Sequence, residues 1–548
     1  MKARSIRYVG KKYTADELNN CSKETLITIL LSMQDQTERL NQNMERLIEQ
    51  IAVSNQEKFG RKSEKLEVMK GQLNLSDFDA LFNEAEFLTQ NLYVVEPFFD
   101  DICKDEVVER KKKQKGKREA DLKDFEVEII SHELDEEQLK EIFGDKWKRL
   151  PDETYKRLKM KPATYIVEEH HVAVYAGTDN QTIVKADRPK DLLRNSIATP
   201  SVVSAIINAK YVNAMPLYRI EQEFKRNEVN LSRTVMANWV IQCSEKYLAV
   251  MYDYLHEMMY DFHVIHADET PVKVSKDGRS AGSKSYMWVY RTGKMYETTP
   301  IVLYEYQKNR VADHPRKFLA DFNGVCVTDG YQVYHSLEEE LENLTVAGCW
   351  SHARRRFAEA VKALKKESAT DTVAYKALQQ IAAIYKLDNA LAKLEAKERT
   401  EQRNLIIRPL VEAFFAWIKE QQKQMTVTPK SKTGEGITYC INQEKYLKVF
   451  LDDGEVPMDN NAAEQAIRGF CVGKHNWHLI DTIEGAKASA IAYSIVETAK
   501  ANNLKPYNYI EYLLTEIPKH MDDTDRSFLK NFLPWSKTLP ENCRRILK

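Results

Sequence analysis

Four runs between His263 and Tyr334 carry the alternation of β-strands, in the order strand, strand, strand, helix, strand. They read HVIHADETPVKV (263–274), SYMWVYR (285–291), TPIVLYEY (299–306) and GVCVTDGYQVY (324–334), with the helical pattern HPRKFLADF ahead of the last. This order predicts an α/β domain and permits a mixed sheet in which the first and fourth strands are adjacent.

The first run is broken at its centre by two acids, Asp268 and Glu269. Alternation points them to opposite faces, so only one can belong to a given site. Alone, an acid at a strand end is ordinarily in water, because burying a carboxylate without a partner or a metal is costly. The fourth run repeats the theme: Val325 to Val327 deliver Asp329, followed by Gly330. A third acid lies in MDNNAAEQAIRGFCVGKHNW (458–477), where Asn460 or Asn461 can cap a helix that presents Glu464, Ile467 and Arg468 on one face. The acids are 329 − 268 = 61 and 464 − 329 = 135 residues apart. Three carboxylates on strand ends and a helix suit two hard divalent ions about 3.5–4 Å apart, the arrangement that serves in-line phosphoryl displacement.

With 548 residues, the chain is long enough for three or more domains. No run approaches the ~18 apolar residues of a membrane span, and MKARSIRYVG leads into no signal-peptide core, so a cytoplasmic protein with no membrane partner is expected. Eight dispersed cysteines without a Cys-x-x-Cys argue against a disulfide framework or a four-cysteine zinc site. The net charge of −1 gives no global attraction to nucleic acid, so any DNA contact must come from local basic clusters.

Such clusters exist. Leu26, Leu30, Met33, Thr37, Leu40, Met44, Leu47 and Ile51 keep heptad spacing, which favours a self-associating coiled coil over a lone amphipathic helix. RKKKQKGKR (110–118) reads as a solvated linker that can also touch phosphates. TYIVEEHHVAVYAGTDNQTIVK (164–185) reads as a β-hairpin turning at Gly177 to Asn180. Its His170 and His171 face opposite ways with no cysteine nearby, so no metal is expected there. Leu217, Ile220 and Phe224 line one helix, and Ser232 caps another carrying Val235 and Trp239. The pair, with Arg219, Lys225, Arg226 and Arg233 exposed, reads equally as a helix-turn-helix or a plain helical hairpin. In AGCWSHARRRF (347–357), Cys349 and His352 have ligand spacing, but one such pair is too little for zinc. There Arg354, Arg355 and Arg356 form either a phosphate-facing cluster or a solvated face.

Six motifs in order carry a resemblance to the DDE transposases of the insertion-sequence sixty-six family: FGRKSEK (59–65), KYVNAMPLYRIEQEF (210–224), HADETPVKV (266–274), TDGYQVY (328–334), AGCWSHARRRF, and DNNAAEQAIR through YSIVETAKANNLKP (459–506). The resemblance implies a ribonuclease-H-like catalytic domain at 263–510 with a helical insertion at about 358–436. Ahead of it come a coiled-coil region (1–103), a linker (104–126), a small β-containing segment (127–198) and a helix-turn-helix-like region (199–262). A tail (511–548) follows. It also implies catalytic, metal-holding roles for Asp268, Asp329 and Glu464 with two Mg²⁺ or Mn²⁺ ions, and DNA contacts through Arg468 and Lys474 besides the arginines and lysine above. Partners would be terminal inverted repeats, target DNA, further copies of the chain and accessory transposition proteins.

The chain departs from the family pattern in two places. The cysteine pairs that commonly precede the helix-turn-helix are missing, so zinc is not expected. Gln465 follows the third acid, and Lys474-His475-Asn476-Trp477 stands where Arg-Lys-Asn-Trp is common. The alternatives are a non-catalytic DNA-binding descendant and a related ribonuclease-H-like nuclease.

Overall fold

The computed structural model describes residues 164–176, 183–187, 190–280, 282–296, 298–362, 372–424 and 427–545, with Lys23, Ile27 and Leu31 as isolated helical positions. The heptad stretch as a whole, the 110–118 run and most of the segment 127–198 lie outside these residues. Two compact units are distinguished, a smaller one within 103–190 and a larger one at 191–545. In the smaller unit, β1 (Val174–Ala176) pairs antiparallel with β2 (Ile183–Lys185), Tyr175 facing Val184, as the hairpin pattern predicts.

The larger unit begins with α1 (Pro200–Ile207), capped by Thr199, whose hydroxyl accepts the Val202 N–H, and started by a proline whose missing N–H costs nothing at that position. Next come α2 (Leu217–Arg226), which buries Ile220 and Phe224, and α3 (Arg233–Cys243), capped by Ser232. A π-helical turn at Ser244–Leu248 then joins α3 to α4 (Ala249–Met259). The second helix of the expected pair is therefore the start of a much longer rod.

The sheet follows: β3 (Val264–Val272), the short β4 (Val274–Lys276), β5 (Ser285–Thr292), β6 (Val302–Gln307), α5 (Asp313–Phe318), β7 (Gly324–Val327), α6 (Gln332–Glu340) and β8 (Leu344–Ala347). Five strands are ordered β6-β5-β3-β7-β8. β5 and β6 run antiparallel to their neighbours, while β3, β7 and β8 are parallel, so the first and fourth runs are indeed adjacent. Close approach at this seam depends on Gly324: its φ is +154°, and a Cβ there would lie 2.2 Å from the His263 carbonyl.

Beyond β8 lie α7 (Trp350–Lys362), α8 (Val373–Ala390), α9 (Ala396–Gln402), α10 (Arg408–Lys423), α11 (Lys432–Asn442) and α12 (Glu444–Lys448). They surround a core of Trp350, Phe357, Phe414, Phe415 and Phe450 that also takes in Val264, Val325, Val327 and Ala347 from the strands. The helices extend on both sides of the 358–436 span. The chain then returns through α13 (Asn461–Trp477), β9 (Ile480–Thr482), α14 (Ile483–Ala501) and α15 (Pro506–Glu516). β9 pairs parallel with β4.

A single buried core draws on residues from either side of two expected boundaries. One core contains Ile206, Phe224, Trp239, Trp288, Tyr493 and Leu513, so the 199–262 helices are continuous with the sheet domain. Tyr211, for example, meets Tyr493 edge-on at 4.9 Å and Ser489 through its hydroxyl at 3.2 Å. Likewise Leu513, Leu514, Leu529, Phe532 and Leu539 of the 511–545 segment are buried in that same core, which adds hydrophobic stabilisation. Among the described residues no helix is long and apolar enough to cross a membrane.

Candidate functional site

β3 is buried over nearly its whole length, because helices cover both faces of the sheet. The acids at its centre are therefore buried, Asp268 with 7% and Glu269 with 3% of its surface exposed. Val264 faces Val325 and His266 faces Val327 across the parallel β3–β7 ladder. Carrying that register on by two residues brings Asp329, just past β7, level with Asp268. Asp329 is fixed there by the Tyr331 N–H, which donates to its Oδ1 at 3.0 Å, and by the Tyr439 hydroxyl, which donates to its backbone carbonyl at 3.1 Å. Gly330 takes the next corner with φ +93°.

The third acid arrives on α13, where Glu464 and Ile467 are buried and Arg468 is half-buried, in keeping with the predicted shared face. Asn460 precedes this helix but does not cap it through its side chain. Its amide turns instead to β3: Nδ2 donates to the Ala267 carbonyl at 2.8 Å, which leaves Oδ1 to accept from His266 Nδ1 at 2.9 Å. One buried asparagine thus ties the strand of Asp268 to the helix of Glu464.

Burial is the largest cause pushing the Asp268 carboxyl well above the usual range, followed by the negative charges of Glu269, Asp329 and Glu464. Against these, Asp268 Oδ1 accepts the Glu269 N–H at 2.8 Å. Glu269 is the off-face neighbour, as alternation predicts, yet it is not in water. It pairs with Arg310, and burial followed by Asp329 raises it to about 8 despite that partner. Arg310 also stacks 3.6 Å over the Tyr331 ring, and its carbonyl accepts the Tyr331 hydroxyl at 2.7 Å. Glu269 is linked in this way to the loop that holds Asp329.

α7 brings further groups to Glu464. His352 Nδ1 is 3.7 Å from its Oε1 and Arg355 Nη2 is 3.5 Å from its Oε2. Donor atoms of Cys349, His352 and Glu464 all lie within 4.8 Å of one another. The Cys-x-x-His pair was legible in the sequence; its third companion, 464 − 352 = 112 residues on, was not.

The basic residues divide. Arg219, Lys225, Arg226 and Arg233 are exposed on α2 and α3, with Arg226 paired to Glu223. Arg354, Arg355 and Arg356 are half-buried, so a fully solvated face is excluded. Arg356 lies 4.5 Å over the Tyr439 ring and donates to the His352 carbonyl. Lys474 is buried, its Nζ donating to the Pro271 carbonyl at 2.9 Å, and burial pushes its pKa down to about 7. Sequence reasoning missed Arg310, His266 and the strand-tying role of Asn460, since none lies in a pattern that marks it.

Comparison with known proteins matches residues 195–488 to the model of the transposase IS66 family and 494–535 to the IS66 C-terminal element. Residues 46–130 match a family described as transposase C of IS166 homeodomain. The uncharacterized protein y4qI of Sinorhizobium fredii is 28% identical over 390 residues, covering 69% of this chain and 70% of its own length. Two others from that organism, y4jD and y4hP, are 24% and 23% identical, over 71% and 72% of this chain and 76% and 72% of their own.

Proposed function

The chain belongs to the IS66 transposase family, and from that premise we propose that it cleaves DNA strands at the ends of an insertion sequence and joins them to target DNA. The observation that carries this reading is the placing of buried Asp268 level with Asp329 in the β3–β7 register, its carboxyl pushed well above the usual range by burial and then by the charges of Glu269, Asp329 and Glu464. The strand order, 3-2-1-4-5 when the five strands are numbered along the chain, supports a ribonuclease-H-like catalytic domain.

Buried carboxylates that repel one another fit hard divalent cations, which take oxygen ligands and supply the missing positive charge. Asp268, Asp329 and Glu464 would hold Mg²⁺ or Mn²⁺, as a pair of ions. Bound there, the ions supply activation of the attacking oxygen and stabilisation of the leaving oxygen. The protein's own groups set the geometry: β3 and β7 hold two acids level, Asn460 fixes the third against them, and Arg310 with Tyr331 steadies the loop of Asp329. A buried, hydrogen-bonded frame of this kind keeps reacting groups oriented.

Terminal repeats and target DNA are the partners this reading requires. The exposed basic residues of α2 and α3 and the homeodomain-type match support DNA contact. Self-association through residues 24–58, accessory proteins and a cytoplasmic, nucleoid-associated location belong to the same reading. The test is a labelled terminal-repeat duplex incubated with the purified protein and Mg²⁺, Mn²⁺ or chelator. Metal-dependent nicking and a joined product are expected; cleavage without joining would indicate a nuclease, and binding alone a non-catalytic descendant.

A further inference from the structure

We propose that Cys349, His352 and Glu464 form a binding site for a zinc-class divalent cation, and that filling it withdraws Glu464 from Asp268 and Asp329. The second half rests on the reading of Glu464 as the third acid; the first half does not.

The donors come from two rigid elements. Cys349 immediately precedes α7 and His352 lies one turn along it, while Glu464 stands in the first turn of α13. All three are buried, and their donor atoms lie within 4.8 Å of one another. Ligands of a tetrahedral zinc with bonds of about 2.0–2.3 Å are roughly 3.3–3.8 Å apart. His352 Nδ1 and Glu464 Oε1 already stand at 3.7 Å. The remaining separations, at most 4.8 Å, exceed that spacing by about 1 Å. Arg355 approaches the other carboxylate oxygen, Oε2, at 3.5 Å.

The surroundings are also those of a ligand set. The Asn460 N–H donates to Cys349 Sγ at 3.2 Å, a bond that favours sulfur carrying negative charge. The Tyr439 hydroxyl lies 3.3 Å from the Cys349 carbonyl, sharing its proton between that oxygen and the Asp329 carbonyl, and Arg356 donates to the His352 carbonyl, which steadies the backbone behind both ligands. Sulfur and imidazole select zinc over magnesium, whereas a purely carboxylate group does the reverse. The cation replaces the thiol proton of Cys349, which leaves to solvent. One carboxylate cannot then serve both sites fully, so zinc and magnesium compete through Glu464.

The full-length protein, stripped of metal and titrated with Co²⁺, should give one near-ultraviolet sulfur-to-cobalt charge-transfer band at one equivalent. Cys349→Ser should abolish the band and Cys471→Ser should retain it, while His352→Asn should weaken cobalt affinity by at least ~10–100-fold. X-ray absorption of wild-type protein carrying one zinc should show a single sulfur neighbour, which keeps the test valid if a variant fails to fold. No cobalt–sulfur band in the wild type, a band surviving Cys349→Ser, or zinc bound only by nitrogen and oxygen would overturn the site. If the site is confirmed but zinc fails to raise the Mg²⁺ concentration needed for strand cleavage, the competition is wrong and the site stands. If the protein cleaves no DNA under any condition, the transposase reading fails and the cobalt result is untouched.

Discussion

His266 donates from Nδ1 to Oδ1 of Asn460 across 2.9 Å, joining residues 194 positions apart in the chain. Because Asn460 also donates to the Ala267 carbonyl, its side chain is fully engaged with β3. Replacing it by alanine strands a buried imidazole N–H and a buried carbonyl, at about 2–4 kcal/mol of stability. Asn460→Asp keeps the acceptor for His266 but turns a second oxygen toward the Ala267 carbonyl, so it should not rescue. Urea unfolding checks the loss, and wild-type stability in Asn460→Ala would remove the tie as a structural element.

Asp268→Asn, Asp329→Asn and Glu464→Gln retain size and remove charge. Each should lower both strand cleavage and strand joining by roughly 10³-fold or more while DNA binding persists, since groups acting as one unit fail together. Asp481→Asn is the appropriate control, being an exposed acid paired with Lys276. Glu269→Gln is not a silent neighbour, because it breaks the pair with Arg310 that supports Tyr331. Its defect should appear in stability as well as in rate, unlike that of the other three. Near-normal joining by any of those three would show the wrong carboxylates assigned.

Gly330→Ala tests the corner after Asp329. Its φ of +93° is strained for any residue with a Cβ, and that Cβ would lie 3.0 Å from the Gln443 side chain. A cost of about 1–3 kcal/mol is expected. Displacement of the neighbouring acid should lower cleavage by up to ~100-fold, the scale of a 1 Å misplacement. A Gly330→Ala protein with unchanged stability and unchanged rate would contradict both effects.

Glu305, on β6 and away from the three acids, has its carboxyl raised by burial from 4.5 to about 7, with Gln307 donating to Oε1 as a partial offset. The folded state therefore binds the proton more tightly than the unfolded state. This contribution is fully present below pH 4.5 and is lost as pH rises through about 7. Glu305→Gln should flatten that fall and raise stability near pH 7.5 by about 2–3 kcal/mol, read from urea midpoints at several pH values. An identical pH profile in wild type and variant would show that Glu305 is not the group responsible.

The sheet was legible because its strands alternate and their order fixes few neighbours; Asp268 and Asp329 stood out as acids interrupting apolar runs. The burial of Glu269 was not legible, since its partner Arg310 lies in a connection 41 residues away with no periodic mark. Asn460 read as a helix cap because asparagine before a helix usually is one. Only the crossing of β3 beneath it gives the amide better partners. The 511–545 segment read as a tail because short helical turns carry no long period, yet its leucines and phenylalanines complete the same core as β3 and β5. Reach across the fold, rather than local pattern, decides all three.

The position of α13 and α14 in the chain separates Glu464 from the two strand acids by the whole helical region between β8 and α13. A chain stopped before Asn460 already holds both strand acids and the exposed basic residues of α2 and α3, but neither Glu464 nor the helices that cover one face of the sheet. Residues as late as Leu539 and Cys543 are buried in the finished molecule. A chain stopped before Asn460 would carry two of the three proposed ligands beside an open sheet face, so on the proposed reading its site is incomplete.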